Sequence, residues 1–213
     1  MAFAQLATAP APETGVPVNS TGGVLFRADD IFSSEELQAM RIDGLVHRVC
    51  GQSYARADHH LDPASRAQSA MLCVPGSLRS KVVLARQSAA WVYGCSALPA
   101  TVILVTDHRR RTTALPPFSD ALMHQVALGP CDVHLIGGVG VTAPLRTALD
   151  VAVHGHDAWT APTLVRLATL PGLNCDLRLV VMALEAARRV PGKNRALARL
   201  QAALHLVEAA RPV

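Results

Sequence analysis

The chain has 213 residues, half of them apolar and 17% charged, and its 20 Lys and Arg against 16 Asp and Glu give a formal charge of +4. That size and apolar content leave room for one large domain, or a small one joined to a medium one, and exclude wholesale disorder. No stretch approaches the roughly 20 uninterrupted apolar residues of a membrane span, and the opening MAFAQLATAPAPETG lacks the basic and apolar regions of a secretory leader. A cytoplasmic location with no membrane partner is the expectation.

Residues 1–22, rich in Ala, Pro, Thr and Gly, are expected as a disordered tail. Residues 27–31 predict one short helical turn. Ser33-Ser34-Glu35-Glu36 then has the S-x-x-E form of a capping box, with its acids at the positive end of the helix dipole. Leu37, Met40 and Ile42 supply a narrow apolar stripe, and Gly44 is placed to end the helix. LVHRVCGQSYAR, residues 45–56, alternates as a strand pair turning near Gly51-Gln52. Asp62-Pro63 is a start signal, Asp as N-cap and Pro at the first helical position, for a helix running to about Cys73.

KVVLA predicts a short strand and RQSAAWVYG a short helix ended by Gly94, with Trp91 as core packing. TVILVT, residues 101–106, reads as a buried strand, and HRRRTT after it as an exposed basic loop. DVHLIGGVGVT predicts a hairpin turning on Gly137-Gly138. Thr142 and Pro144 introduce the helix APLRTALDVAV, on which Arg146 and Asp150 lie four apart and pair. Beyond Gly155 the spacing of Leu, Val and Ala predicts helices over 160–170, 176–190 and 194–211.

The five cysteines, Cys50, Cys73, Cys95, Cys131 and Cys175, are scattered and never in CxxC spacing, so isolated buried thiols are expected rather than a disulfide framework or a zinc site. His59, His60, His154, His156 and Asp157 read as exposed loop groups. The Gly137–Gly140 run lacks the strand-to-helix setting of a phosphate loop, and no serine sits in a nucleophile elbow. No catalytic residue, metal or cofactor is expected. Between residues 176 and 199 stand six cations against Asp176 and Glu185, which accounts for the whole positive excess. Arg188, Arg189, Lys193 and Arg195 bracket Pro191-Gly192 and predict a basic patch for DNA backbone or an acidic partner.

SAAWVYG and VTAPLRTALDVAV, preceded in order by the capped helix, LVHRVCGQSYAR and DPASRAQSAML, resemble actinobacterial AbiEi-family antitoxins of type IV toxin–antitoxin systems over residues 24–154. The resemblance implies an α+β protein in two parts: a small winged-helix-like DNA-binding domain over 23–58, and an AbiEi-like domain of a small sheet and several helices over 59–213. The first would bind double-stranded operator DNA and repress its own operon. The second would neutralise a nucleotidyltransferase-type toxin. Residues 33–44 would be the recognition helix and 45–56 the wing, with Ser34, Gln38, Arg41, His47, Arg48 and Arg56 on the DNA. Two features depart from the family pattern: Gly51, Gln52, Ser53 and Tyr54 leave the wing tip without its usual cation, and only residues 27–31 stand for the helices before recognition.

RVPGKNRALARLQAALHLVEA also resembles the linker helix that precedes a restriction-endonuclease-like domain in related proteins. Such a nuclease needs a carboxylate cluster and a lysine around a metal, and neither Lys81 nor Lys193 stands in such a motif. Two alternatives to the antitoxin stay open: a protein-interaction module without operator binding, and the remnant of a nuclease-type protein lacking its catalytic domain.

Overall fold

The computed structural model describes residues 23–109 and 114–210. The tail expected over 1–22, and most of the basic loop expected after residue 107, lie outside the described residues. The fold is α+β, with a three-stranded and a five-stranded sheet and helices on both sides of the chain's midpoint.

The first sheet contains β1 (Leu25–Arg27), β2 (Val46–Cys50) and β3 (Ser53–Arg56), in the order β1-β3-β2. Helix α1 (Ser34–Ile42) joins β1 to β2. Its capping box is complete: the Glu36 amide donates to Ser33 Oγ at 3.2 Å, and the Ser33 amide donates to Glu36 Oε2 at 2.7 Å. At its other end Gly44 takes a left-handed φ of +73°. The Leu45 amide then reaches back to the Met40 carbonyl and the Gly44 amide to that of Arg41, so the last carbonyls of the helix are satisfied.

The helical turn expected over 27–31 does not form. Arg27 extends β1 opposite Ser53, Asp29 adopts φ +70°, and a bridge between Ala28 and Phe32 closes a tight loop. Extended pairing and a left-handed residue leave no place for a helix there.

Alternation along the strands gives the sheet two apolar faces. Leu37 of α1 packs with Ala28, Val46 and Tyr54, and the Phe26 and Phe32 rings meet edge-to-face 5.5 Å apart beside them. On the opposite face Leu25, Val49, Cys50 and Ala55 join the main core through α2 (Pro63–Leu72). The boundary expected at residue 58 is therefore crossed by shared apolar packing. Asp62 starts α2 as the sequence predicts, its Oδ1 accepting the Ser65 amide at 2.7 Å.

After a single turn, α3 (Gly76–Arg79), come β4 (Val83–Leu84), α4 (Arg86–Val92), β5 (Val102–Asp107), β6 (Ala121–Val126), β7 (Val133–Ile136) and β8 (Val139–Thr142). They build a mixed sheet of order β6-β5-β4-β8-β7, with β5 parallel to β6 and β4 parallel to β8. The hairpin expected on Gly137-Gly138 forms, both glycines at positive φ. Strand β6 has no counterpart in the sequence reading. Helices α5 (Pro144–His154), α6 (Asp157–Thr169), α7 (Leu177–Ala186) and α8 (Lys193–Ala209) follow. They bury Val151, Leu164, Leu167, Leu184 and Leu200 in one core with Trp91 and Leu104. Among the described residues, no helix is long and apolar enough to cross a membrane.

Candidate nucleic-acid interface

The helix and hairpin expected to meet DNA are adjacent, since α1 lies across one face of the sheet that contains β2 and β3. Gln38 and Arg41 are exposed on α1, and Ser34 is half-buried near its start. The Arg41 side chain makes no hydrogen bond or ion pair with another described residue, and neither does that of half-buried His47 on β2. Glu35 and Glu36 occupy the first turn of the same helix and would repel a phosphate there.

The two hairpin arginines are engaged. Arg48 folds back along its own turn, where its Nε donates to the Gly51 carbonyl. Arg56 closes a fork with Asp58, Nε at 3.0 Å and Nη2 at 2.6 Å from the two carboxylate oxygens. Hydrogen bonding from Arg56 holds the Asp58 carboxyl below its usual range. The hairpin tip carries Gly51 at φ +48° and exposed Gln52, with no cation. A single helix stands between β1 and β2 and no described helix precedes it, so the first sheet, α1 and the hairpin form a strand–helix–hairpin unit.

The predicted basic patch divides. Arg188, Arg189 and Arg195 are exposed and make no hydrogen bond or ion pair with another described residue. Lys193 is not part of a free patch. Its ammonium donates to the carbonyls of Glu185 at 2.7 Å and Ala187 at 2.9 Å, closing the C-terminal end of α7 where the helix dipole is negative. This closure and Pro191 explain why α7 stops at Ala186 and not at residue 190, which leaves Arg188 and Arg189 in a bend, Arg189 at φ +57°. Two further cations of the stretch are structural. Arg178 pairs with Glu208 at 2.8 Å, and Arg199 pairs with Asp157 while donating to the Ala152 carbonyl at 2.8 Å.

A third polar group lies on α5 and around it. Arg146 holds Asp150 through Nε at 3.1 Å, as the spacing predicts, and its Nη1 also reaches Asp132 at 2.9 Å and the Ala127 carbonyl at 3.1 Å. Burial pushes the Asp150 carboxyl up against the opposing pull of Arg146. One turn further along α5 stands His154. Desolvation, then Arg86, His124, Arg146 and Arg195, lower its basicity to about 4. Arg86 opens α4 at φ +53° and places Nη1 3.2 Å from His124 Nε2 on β6, so that nitrogen accepts and the ring is neutral. Sequence reasoning found the Arg146–Asp150 pair but missed Arg86 and His124. They are 38 residues apart and meet only because β6 adds to the edge of the sheet beside β5.

The loop histidines have local partners: His59 Nε2 lies 3.0 Å from Ser65 Oγ, and His156 Nδ1 accepts the Ala158 amide at the start of α6. No family model matches the chain, and no curated protein matches its sequence.

Proposed function

We propose that the chain is a DNA-binding regulator of the antitoxin kind, which holds operator DNA with α1 and the β2–β3 hairpin and a nucleotidyltransferase-type toxin with its C-terminal helices. The observation that carries this reading is the placement of exposed Gln38 and Arg41 on a helix packed across the sheet that contains the β2–β3 hairpin. Such a helix offers side chains to base edges while hairpin cations contact phosphates. The exposed Arg188, Arg189 and Arg195 add a second cationic surface for backbone or for an acidic partner. On this reading the protein acts by binding, with no chemical step of its own. The test is a mobility-shift assay with the DNA upstream of its own reading frame, paired with growth rescue on co-expression with a nucleotidyltransferase-type toxin.

A second reading is a protein-interaction module. Ile42 is 80% exposed and Leu45 58% exposed at the C-terminal end of α1, beside an apolar groove lined by Phe26, Phe32 and Met40. Apolar side chains at that density suit a protein surface better than a phosphate backbone. Toxin capture without any DNA shift would favour this second reading.

A further inference from the structure

Cys50 ends β2, and Cys73 caps the last turn of α2. Their sulfurs lie 3.5 Å apart across the contact between the first sheet and the main core. Three other groups surround the Cys50 sulfur: Ser53 Oγ at 3.4 Å, the Ser69 carbonyl at 3.4 Å and Ser69 Oγ at 3.8 Å. Gly51 arches over the pair, and a Cβ there would stand 2.7 Å from Cys73 Sγ. The hairpin turn is thus seated directly on the second thiol.

We propose that Cys50 and Cys73 are an oxidative modification site, a dithiol that hydrogen peroxide converts to a disulfide tying the β2–β3 hairpin to α2. The acidities divide the labour. The hydrogen bond from Cys73, then those from Ser53 and Ser69, lower Cys50 against the opposing effects of burial and of the Asp120 carboxylate beside the turn. The hydrogen bond to Cys50 and burial raise Cys73. Of the two, Cys50 gives up its proton more readily and supplies the thiolate, which is the nucleophilic form.

Its sulfur attacks one peroxide oxygen, the O–O bond breaks, and the hydroxide that leaves takes up a proton to become water. The product is a sulfenic acid on Cys50. Cys73 then attacks that sulfur, its thiol proton passes to the departing oxygen, the S–O bond breaks, and a second water leaves. Two thiols lose two electrons in all, and one peroxide is reduced to two waters. The sulfurs must close from 3.5 Å to about 2.05 Å, and the register irregularity between Arg48 and Cys50 supplies slack in β2. Burial pushes Cys95 and Cys175 up to about 11 and about 12, so they stay protonated, while Cys131 is exposed.

Trypsin cutting after arginine places Cys50 on the peptide 49–56 and Cys73 on the peptide 67–79. The full chain, folded, is treated with a small excess of hydrogen peroxide, alkylated, unfolded, digested and analysed by mass spectrometry without reductant. The expected product joins those two peptides with the loss of two hydrogens, is split by dithiothreitol, and forms faster as pH rises and the thiolate fraction grows. It should persist in Cys131→Ser and vanish in Cys50→Ser and in Cys73→Ser. The wild-type and Cys131→Ser proteins suffice for the test should a buried variant fail to fold. No cross-link, a cross-link between other cysteines, or conversion of Cys50 to sulfinic acid without a partner would overturn the proposal.

Discussion

Arg56 and Asp58 face each other across a single residue at the end of β3, the guanidinium giving both Nε and Nη2 to one carboxylate. The pair is exposed, so it is easily exchanged for another anion, but a phosphate must compete with Asp58 to win Arg56. Asp58→Asn should release the guanidinium. DNA affinity should rise, and the slope of log K against log salt should steepen by about one unit, the signature of one added phosphate contact. Fluorescence anisotropy on a labelled duplex across a salt series measures both. An unchanged slope would mean that Arg56 stays off the DNA.

Lys193 carries a different expectation from its neighbours. Its two bonds to carbonyls at the end of α7 are replaced by nothing in Lys193→Met, so stability should fall by about 1–2 kcal/mol. Arg188→Gln, Arg189→Gln and Arg195→Gln should each stay within about 0.5 kcal/mol of the parent, as exposed side chains that bond to no other described residue do. Urea unfolding followed by circular dichroism separates the two classes. An equal loss in all four variants would contradict the division of the patch.

His154 predicts a direction for the effect of acid. Its folded basicity is lowered from 6.5 to about 4. Between those values the unfolded chain binds the proton more readily than the folded one, so stability rises with pH through the window and is lost as pH falls through it. His124, lowered first by desolvation and then by Arg86, acts in the same direction. Asp150 opposes them, because its raised carboxyl favours the folded state under acid conditions. In His154→Gln the fall in urea midpoint between neutral pH and about pH 4.5 should shrink. A fall as large as in the parent would remove His154 from the account.

Local chemistry made much of this fold legible. Ser33 with Glu36, Asp62 before Pro63, and Gly137-Gly138 are each complete signals within four residues, and each appears where the sequence places it. What depended on distant pairing was not legible. Arg27 is drawn into β1 by Ser53, 26 positions away, against a helical reading of its neighbours. The strand ALMHQV exposes Leu122 and Gln125 and takes its register from β5, so its own pattern is weak. The candidate interface shows the same limit. Spacing located Arg48 and Arg56 on the hairpin, but it is the folded turn that brings Arg48 onto the Gly51 carbonyl and Arg56 onto Asp58. The proximity of Cys50 and Cys73, 23 residues apart, has no local signal at all.

The proposed hold of α1 and the β2–β3 hairpin on DNA is read out by the salt dependence of binding. Full-length protein is titrated onto the duplex upstream of its own reading frame, and onto an unrelated duplex, with the triple variant Arg41→Ala, His47→Ala, Arg48→Ala alongside. Binding is expected at about micromolar protein or below in low salt, tighter on the upstream duplex. Log K should fall linearly with log salt, and the slope should be shallower by about two units in the variant, one for each arginine removed. No binding at micromolar protein in low salt, or a folded variant with the parent's affinity and slope, would contradict it.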